Sequence, residues 1–168
     1  VNKKRSIIVD LRNVQFVGNK ENKEPMEKYM KNHFPFLGVK APERKLQSKN
    51  WLKESKALSL GELYEVIHSL YQRPEREYHY LAIDICEANL NRLTWQELQK
   101  YSDFIQEKSW WDSVDAWRKI YGLYLKKHPE ERSEIFNHFY QHENMWMRRI
   151  AINLQLMEKD LTDQQLLT

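Results

Sequence analysis

Cysteine is almost missing from this sequence: Cys86 is the only one in 168 residues. One thiol closes no disulfide within the chain and builds no cysteine-based zinc site. That usage fits a reducing compartment, so a cytoplasmic location is expected. Glycine is scarce too, at 4 residues. Tight β-turns and phosphate-cradling loops draw on glycine, which argues against all-β and dinucleotide-binding folds. No apolar run approaches a membrane span, and Val1-Asn2-Lys3-Lys4-Arg5 leads into no signal-like segment. No membrane association is expected. The 6 histidines show no ligand spacing. His138 and His142 stand at i, i+4, but no third ligand accompanies them, so no metal is expected.

What is present is aromatic and charged. There are 6 Trp and 9 Tyr. The length predicts a single domain over residues 1–168, long enough to bury a core without staples. The net charge of +3 hides an asymmetry: residues 1–56 hold 14 Lys/Arg against 6 Asp/Glu, and the remainder is net acidic. A basic N-terminal third points to an anionic partner, nucleic acid being the commonest. A solvated basic face would look the same.

Along the chain the apolar period is helical. Ile7, Ile8, Leu11, Val14 and Phe16 predict a helix over 3–17, ended by Gly18-Asn19. Residues 21–23 read as a loop. Pro25 opens a helix to Phe34, with Met26, Tyr29, Met30 and His33 on one face. After the Pro- and Gly-broken connector 34–40, Ala41-Pro42 opens a third helix to about Glu54, with Pro in its first turn. Ser59 and Glu62 form a capping box for the next helix. Pro74-Glu75 opens another, ending near Asn89. Thr94 and Glu97 form a second box for a helix reaching about Glu107. Further helices are expected over 110–127, 129–141 and 145–157, with Thr162 capping one that barely starts. No strand-like alternation is evident. The chain is therefore expected to be all-α, and the recurrence of helix pairs at roughly 35–40 residues fits a HEAT-like helical-repeat solenoid. A compact bundle would give the same local signals.

The densest chemical signal is Ser109-Trp110-Trp111-Asp112-Ser113-Val114-Asp115. On a helix, Trp111 and Asp115 share one face, one turn apart. An aromatic plate beside a carboxylate suits a flat or cationic ligand. The competing reading makes the tryptophans core and the aspartates a cap and a surface charge. Trp51, Trp95, Trp117 and Trp146 are read as core, Trp110 as packing inward, and Cys86 as a buried small hydrophobe.

Several blocks, in order and at their spacings, resemble one family. They are Pro25-Met26 with Tyr29-Met30-Lys31-Asn32-His33-Phe34, Phe36-Leu37-Gly38-Val39, Pro42-Glu43-Arg44, Pro74-Glu75-Arg76-Glu77, the Trp-Trp-Asp-Ser-Val-Asp block, Lys127-His128-Pro129, and Asn144-Met145-Trp146 with Arg149 and Ala151-Ile152. Over about residues 24–158 the chain is similar to the AlkD-type DNA alkylation repair glycosylases.

The resemblance implies a superhelix of HEAT-like repeats whose concave basic groove holds double-stranded DNA. It implies hydrolysis of the N-glycosidic bond of positively charged alkylated purines such as N3-methyladenine and N7-methylguanine, by a monomer, with no metal or other cofactor. Asp115 matches the family's catalytic aspartate and Trp111 the tryptophan one turn before it. Arg149 matches an arginine at the DNA backbone, where it would grip phosphate bidentately, and Tyr29 an aromatic residue at the groove. Lys31, Lys40, Arg44, Lys45 and Arg148 are expected to follow the DNA backbone. The family also carries a further C-terminal tryptophan, on helices beyond the last one expected here, which no residue of the 168 matches. HEAT-like repeats also serve as scaffolds, so a non-catalytic module binding DNA or protein is the alternative.

Overall fold

The structure is a computed structural model that describes residues 10–156, 158, 162 and 164–167. Among the described residues it is all-helical. The chain packs as two compact units, one ending at Asn89 and the other starting at Leu90.

The first unit holds α1 (Lys20–Tyr29), α2 (Ala41–Ser55), α3 (Leu60–Gln72) and α4 (Arg76–Ala88). The helix expected over 3–17 is not seen in its described part, and Ile7 and Ile8 lie outside the described residues. Asp10 instead caps a single 3₁₀ turn, Leu11–Asn13. The chain then runs without helix to Asn19. Leu11, Val14 and Phe16 are buried while Gln15 and Val17 are exposed. From Val14 onward that is the period-2 burial of an extended segment.

α1 also departs from expectation. It begins at Lys20, so residues 21–23 are helix rather than loop, and it ends at Tyr29 rather than Phe34. The Asn19 side chain accepts the Glu21 N–H and supplies the start. Pro25 sits inside the helix at an exposed position, on an element with no buried residue, so little packing depends on it. The end is set by Lys31 and Asn32, both left-handed at φ 55° and 57°. Asn32 N–H reaches back to the Glu27 carbonyl at 2.8 Å, closing the last turn.

One cluster on α4 organises this unit. Glu77 is fully buried, and its carboxylate accepts the backbone N–H groups of Leu37 (2.9 Å), Gly38 (2.9 Å) and Val39 (3.1 Å). The loop wraps the carboxylate as a nest. Gly38 is required there: its φ is +87°, and a Cβ would stand 1.9 Å from the Asn19 carbonyl oxygen. Beside it, buried Arg76 lies 3.7 Å over the Phe34 ring and 3.2 Å from His79 Nδ1. His79 Nε2 is 2.7 Å from the Arg73 carbonyl. That oxygen only accepts, so the ring is a neutral Nε2–H imidazole accepting from Arg76 at Nδ1. The nest fixes the chain just before α2 begins. The Ser59–Glu62 capping box starts α3 as expected.

The second unit holds α5 (Trp95–Tyr101), α6 (Trp111–Lys127), α7 (Arg132–Tyr140) and α8 (Met145–Asn153). The Thr94–Glu97 box starts α5. That helix stops at Tyr101, and a 3₁₀ segment, Ser102–Gln106, replaces its expected last turns. Ser102 Oγ donates to the Gln99 carbonyl at 2.6 Å, competing with the helical ladder. A short 3₁₀ turn, Pro129–Glu131, precedes α7. α8 closes at Asn153, and Met157, its expected end, lies outside the described residues. A 3₁₀ turn at Gln164–Leu167 follows Thr162. Trp117, Ile120, Tyr121, Leu125, Ile135, Phe139 and Ile150 are inaccessible and form the core. Cys86 and Trp95 are buried as expected, whereas Trp51 and Trp146 are only half-buried.

Candidate active site

α6 begins at an abrupt corner. Lys108 is left-handed at φ 48°, and Ser109 Oγ donates to the Ile105 carbonyl at 2.5 Å. Trp110 is extended and serves as N-cap, its carbonyl accepting the Val114 N–H at 3.1 Å. Its ring packs against Trp146 at 5.8 Å between centroids. Trp111 is therefore the first helical residue. The helix then sorts its residues by face: Val114 and Trp117 are inaccessible, whereas Trp111 is 39% exposed. Asp115 lies one turn on from Trp111, on the same open face.

Asp115 meets α8 there. Arg149 Nε lies 2.9 Å from Oδ1 and its Nη2 lies 2.9 Å from Oδ2. The two side chains remain 41% and 37% exposed for Arg149 and Asp115. The bond to the carboxylate raises the Arg149 pKa above its ordinary value. Two consequences follow for the expected roles. Arg149 does not present an open fork to phosphate, because its Nε–Nη2 edge already grips Asp115. Its Nη1 edge carries two further donors. The carboxylate, in turn, is held in one orientation with a cation at its back.

α8 is placed by its own cap. The Asn144 side chain accepts the Trp146 N–H at 2.8 Å. Arg148 is drawn to the same corner, donating through Nη1 to the carbonyls of His142 and Glu143 at 2.9 and 2.6 Å. It thus tethers the α7–α8 turn, a structural use the backbone-following expectation did not include. His142 Nδ1 accepts the Asn144 N–H at 3.0 Å. His138 Nε2 lies 2.9 Å from Ser102 Oγ. Among the described residues no cluster of three or more His, Cys, Asp or Glu could hold a metal ion.

The expected basic residues of the first unit divide. Lys40 is the exposed N-cap of α2, Lys45 is exposed on that helix, and Lys31 is exposed after α1. Tyr29 ends α1 with 68% exposure. Arg44 differs from them. Its guanidinium stacks 4.8 Å over Tyr80 and pairs with Asp84 at 3.4 Å, leaving the side chain 13% exposed. The paired arginine holds α2 to α4, a structural use that the backbone-following expectation did not include. Burial raises the Asp84 pKa, with Arg44 opposing. The sequence reading also passed over Arg118 and Lys126, which continue the Trp111–Asp115 face of α6. Counting on by three and four would have found them.

The sequence profile of the DNA alkylation repair enzymes matches residues 11–168. The chain belongs to the DNA alkylation repair enzyme family. A solved structure described as a predicted DNA alkylation repair enzyme from Enterococcus faecalis is similar to it, at TM-score 0.89 and 46% identity, covering 91% of this chain and 72% of that one. No curated protein matches. Membership in the DNA alkylation repair enzymes makes a role in DNA repair the frame for the Trp111–Asp115–Arg149 constellation. No helix of the described residues is long and apolar enough to cross a membrane.

Proposed function

We propose that this protein is a DNA glycosylase that hydrolyses the N-glycosidic bond of positively charged alkylated purines, such as N3-methyladenine and N7-methylguanine, in duplex DNA. The observation that carries the reading is the Asp115 carboxylate, gripped on both oxygens by Arg149 and one turn from a partly exposed Trp111. Membership of the DNA alkylation repair family supplies the substrate frame.

The chemistry needs little more than these groups. An alkylated purinium is already a good leaving group, so protonation by a general acid contributes little. As the C1′–N bond lengthens, its electron pair neutralises the base and positive charge develops on the sugar. A carboxylate held at that sugar stabilises the oxocarbenium-like state and orients the attacking water, as carboxylates do in glycoside hydrolysis. The water adds to C1′ and its proton passes to solvent through Asp115. Trp111 offers its π-face to the cationic base or the charged sugar edge. Arg149 fixes the carboxylate with one edge and reaches a backbone phosphate with the other.

Tyr29, Lys31, Lys40 and Lys45 contact the backbone without reading sequence. The helix pairs act as HEAT-like repeats, and the protein works as a cytoplasmic monomer. No cofactor enters the scheme, because the substrate brings its own charge.

The test is release of N7-methylguanine from duplex DNA, with Asp115→Asn beside the wild type. A fall of orders of magnitude in the variant is expected. Equal release from both would remove Asp115 from the chemistry. DNA binding without release from either would leave the non-catalytic reading standing.

A further inference from the structure

The face of α6 that carries Trp111 and Asp115 does not end with them. Arg118 and Lys119 follow Asp115 at i+3 and i+4, Gly122 at i+7 and Lys126 at i+11. Together with Leu123, Leu154 and Glu158 they line a cavity of about 350 Å³ beside the end of α8. Gly122 sits where a Cβ would stand 3.3 Å from the Leu154 carbonyl oxygen. Glycine inside a helix costs about 1 kcal/mol, and here it permits the close approach of the two elements.

Charge at this cavity is mostly positive, with Arg118, Lys119 and Lys126 against one acid. The one acid in the lining, Glu158, is bonded through Oε2 to Arg132 at 2.7 Å while its Oε1 makes no hydrogen bond, and Arg132 also binds Gln155. One turn back on α6, Asp115 is paired with Arg149. Among the described residues no hydrogen bond or ion pair holds Arg118 or Lys126. Arg118 is nonetheless half-buried. A half-buried guanidinium bonded to no carboxylate is a poor choice for stability alone, and an anionic ligand would complete it.

We propose that Arg118 and Lys126 hold phosphates of the DNA strand as it runs along α6 away from Asp115, and so set the register of the lesion against the carboxylate. The proposal rests on DNA being the ligand of this face, as argued above. Eight residues separate the two cations, or about 12 Å of helix rise. Strand charges recur roughly every 3.4 Å along a duplex axis, so the two cations engage different phosphates. Leu123 and Leu154 give the cavity an apolar wall for sugar carbons. The contact is sequence-independent, since it offers nothing shaped to read base edges.

The test uses the full chain and an undamaged duplex, with affinity measured across a salt series. For the Arg118→Gln/Lys126→Gln double variant the slope of log affinity against log salt should shrink by about 1.8, roughly 0.9 for each lost phosphate. Swapping the two cations, Arg118→Lys with Lys126→Arg, should restore the slope. Removing an exposed lysine on α5, Lys100→Gln, should leave it unchanged. A double variant with the wild-type slope overturns the inference, while base release by the wild type would still support the glycosylase. A reduced slope in a protein that releases no base supports the phosphate track and removes the glycosylase. A wild type that binds no duplex at all overturns both.

Discussion

Arg149 grips Asp115 through a two-point fork, Nε to Oδ1 and Nη2 to Oδ2, both at 2.9 Å. The pair joins α6 to α8 while both side chains stay more than a third exposed. A pair that wet contributes at most about 1 kcal/mol to stability. Its value is therefore geometric. Arg149→Lys keeps the charge but loses the planar fork. The expected outcome is a urea midpoint close to wild type with single-turnover release of N7-methylguanine slowed at least about tenfold, the equivalent of about 1.4 kcal/mol in the barrier. Unchanged release would mean that orientation of Asp115 by Arg149 is immaterial.

Two tryptophans on α6 separate function from packing. Trp111 is 39% exposed and Trp117 is inaccessible. Trp117→Ala should cost about 3–5 kcal/mol of stability through the cavity it leaves. Trp111→Ala should cost far less and should instead slow base release. Denaturation and release measured on both variants check this, and a large stability loss in Trp111→Ala would return that residue to the core.

The loop before α2 should be the most sensitive point of the first unit. Glu77→Gln removes the charge that the three N–H groups on Oε1 bond to, and turns an amide donor toward the Leu37 N–H that also reaches Oε2. A loss of about 2–3 kcal/mol is expected. Gly38→Ala, at φ +87° and with a Cβ 1.9 Å from a carbonyl oxygen, should lose about 3 kcal/mol or more. Urea unfolding monitored by circular dichroism would read both, and wild-type stability in Glu77→Gln would refute the nest as the loop's anchor.

His138 should make stability depend on pH. Burial pushes its pKa below the ordinary imidazole value, and the nearby His142 pushes the same way. The folded chain then keeps a neutral ring while the unfolded chain protonates near pH 6.5. Between that pH and the lower folded value the unfolded state binds more protons, so stability falls as pH falls. The urea midpoint should drop on going from pH 7 to pH 5, and less steeply in His138→Asn. Parallel pH slopes in the two proteins would assign the effect to other groups.

The pH effect, like the Arg149–Asp115 pair, arises from packing, and the sequence announced the two unevenly. Both capping boxes, Ser59–Glu62 and Thr94–Glu97, are local hydrogen-bond chemistry and were legible, as was the stop of α6 at His128-Pro129. The helix expected over 3–17 is absent from its described part although Leu11 and Val14 satisfy a helical period. What separates the readings is that Gln15 and Val17 turn out to solvent around a buried Phe16. α1 begins upstream of the expected Pro25 because the Asn19 side chain caps Glu21, and an exposed proline is tolerated within the helix. At the site, the Trp111–Asp115 spacing was visible. The partner of Asp115 was not, because Arg149 lies 34 residues on. Arg44 and Arg149 are both arginines expected at phosphate, and only the tertiary structure shows each bonded to an aspartate.

The sequence by itself therefore determined the all-helical class, the two capping boxes and the face of α6 that carries Trp111 and Asp115, since each depends on residues within a turn or two. Packing decided which charges are committed and which face open space. It set Glu77 inside a loop 40 residues away, Arg44 onto Asp84 and Arg149 onto Asp115, and left Arg118 half-buried at a cavity it shares with Lys126. Those outcomes are set by which surfaces helices bury against one another, and no local period encodes that choice.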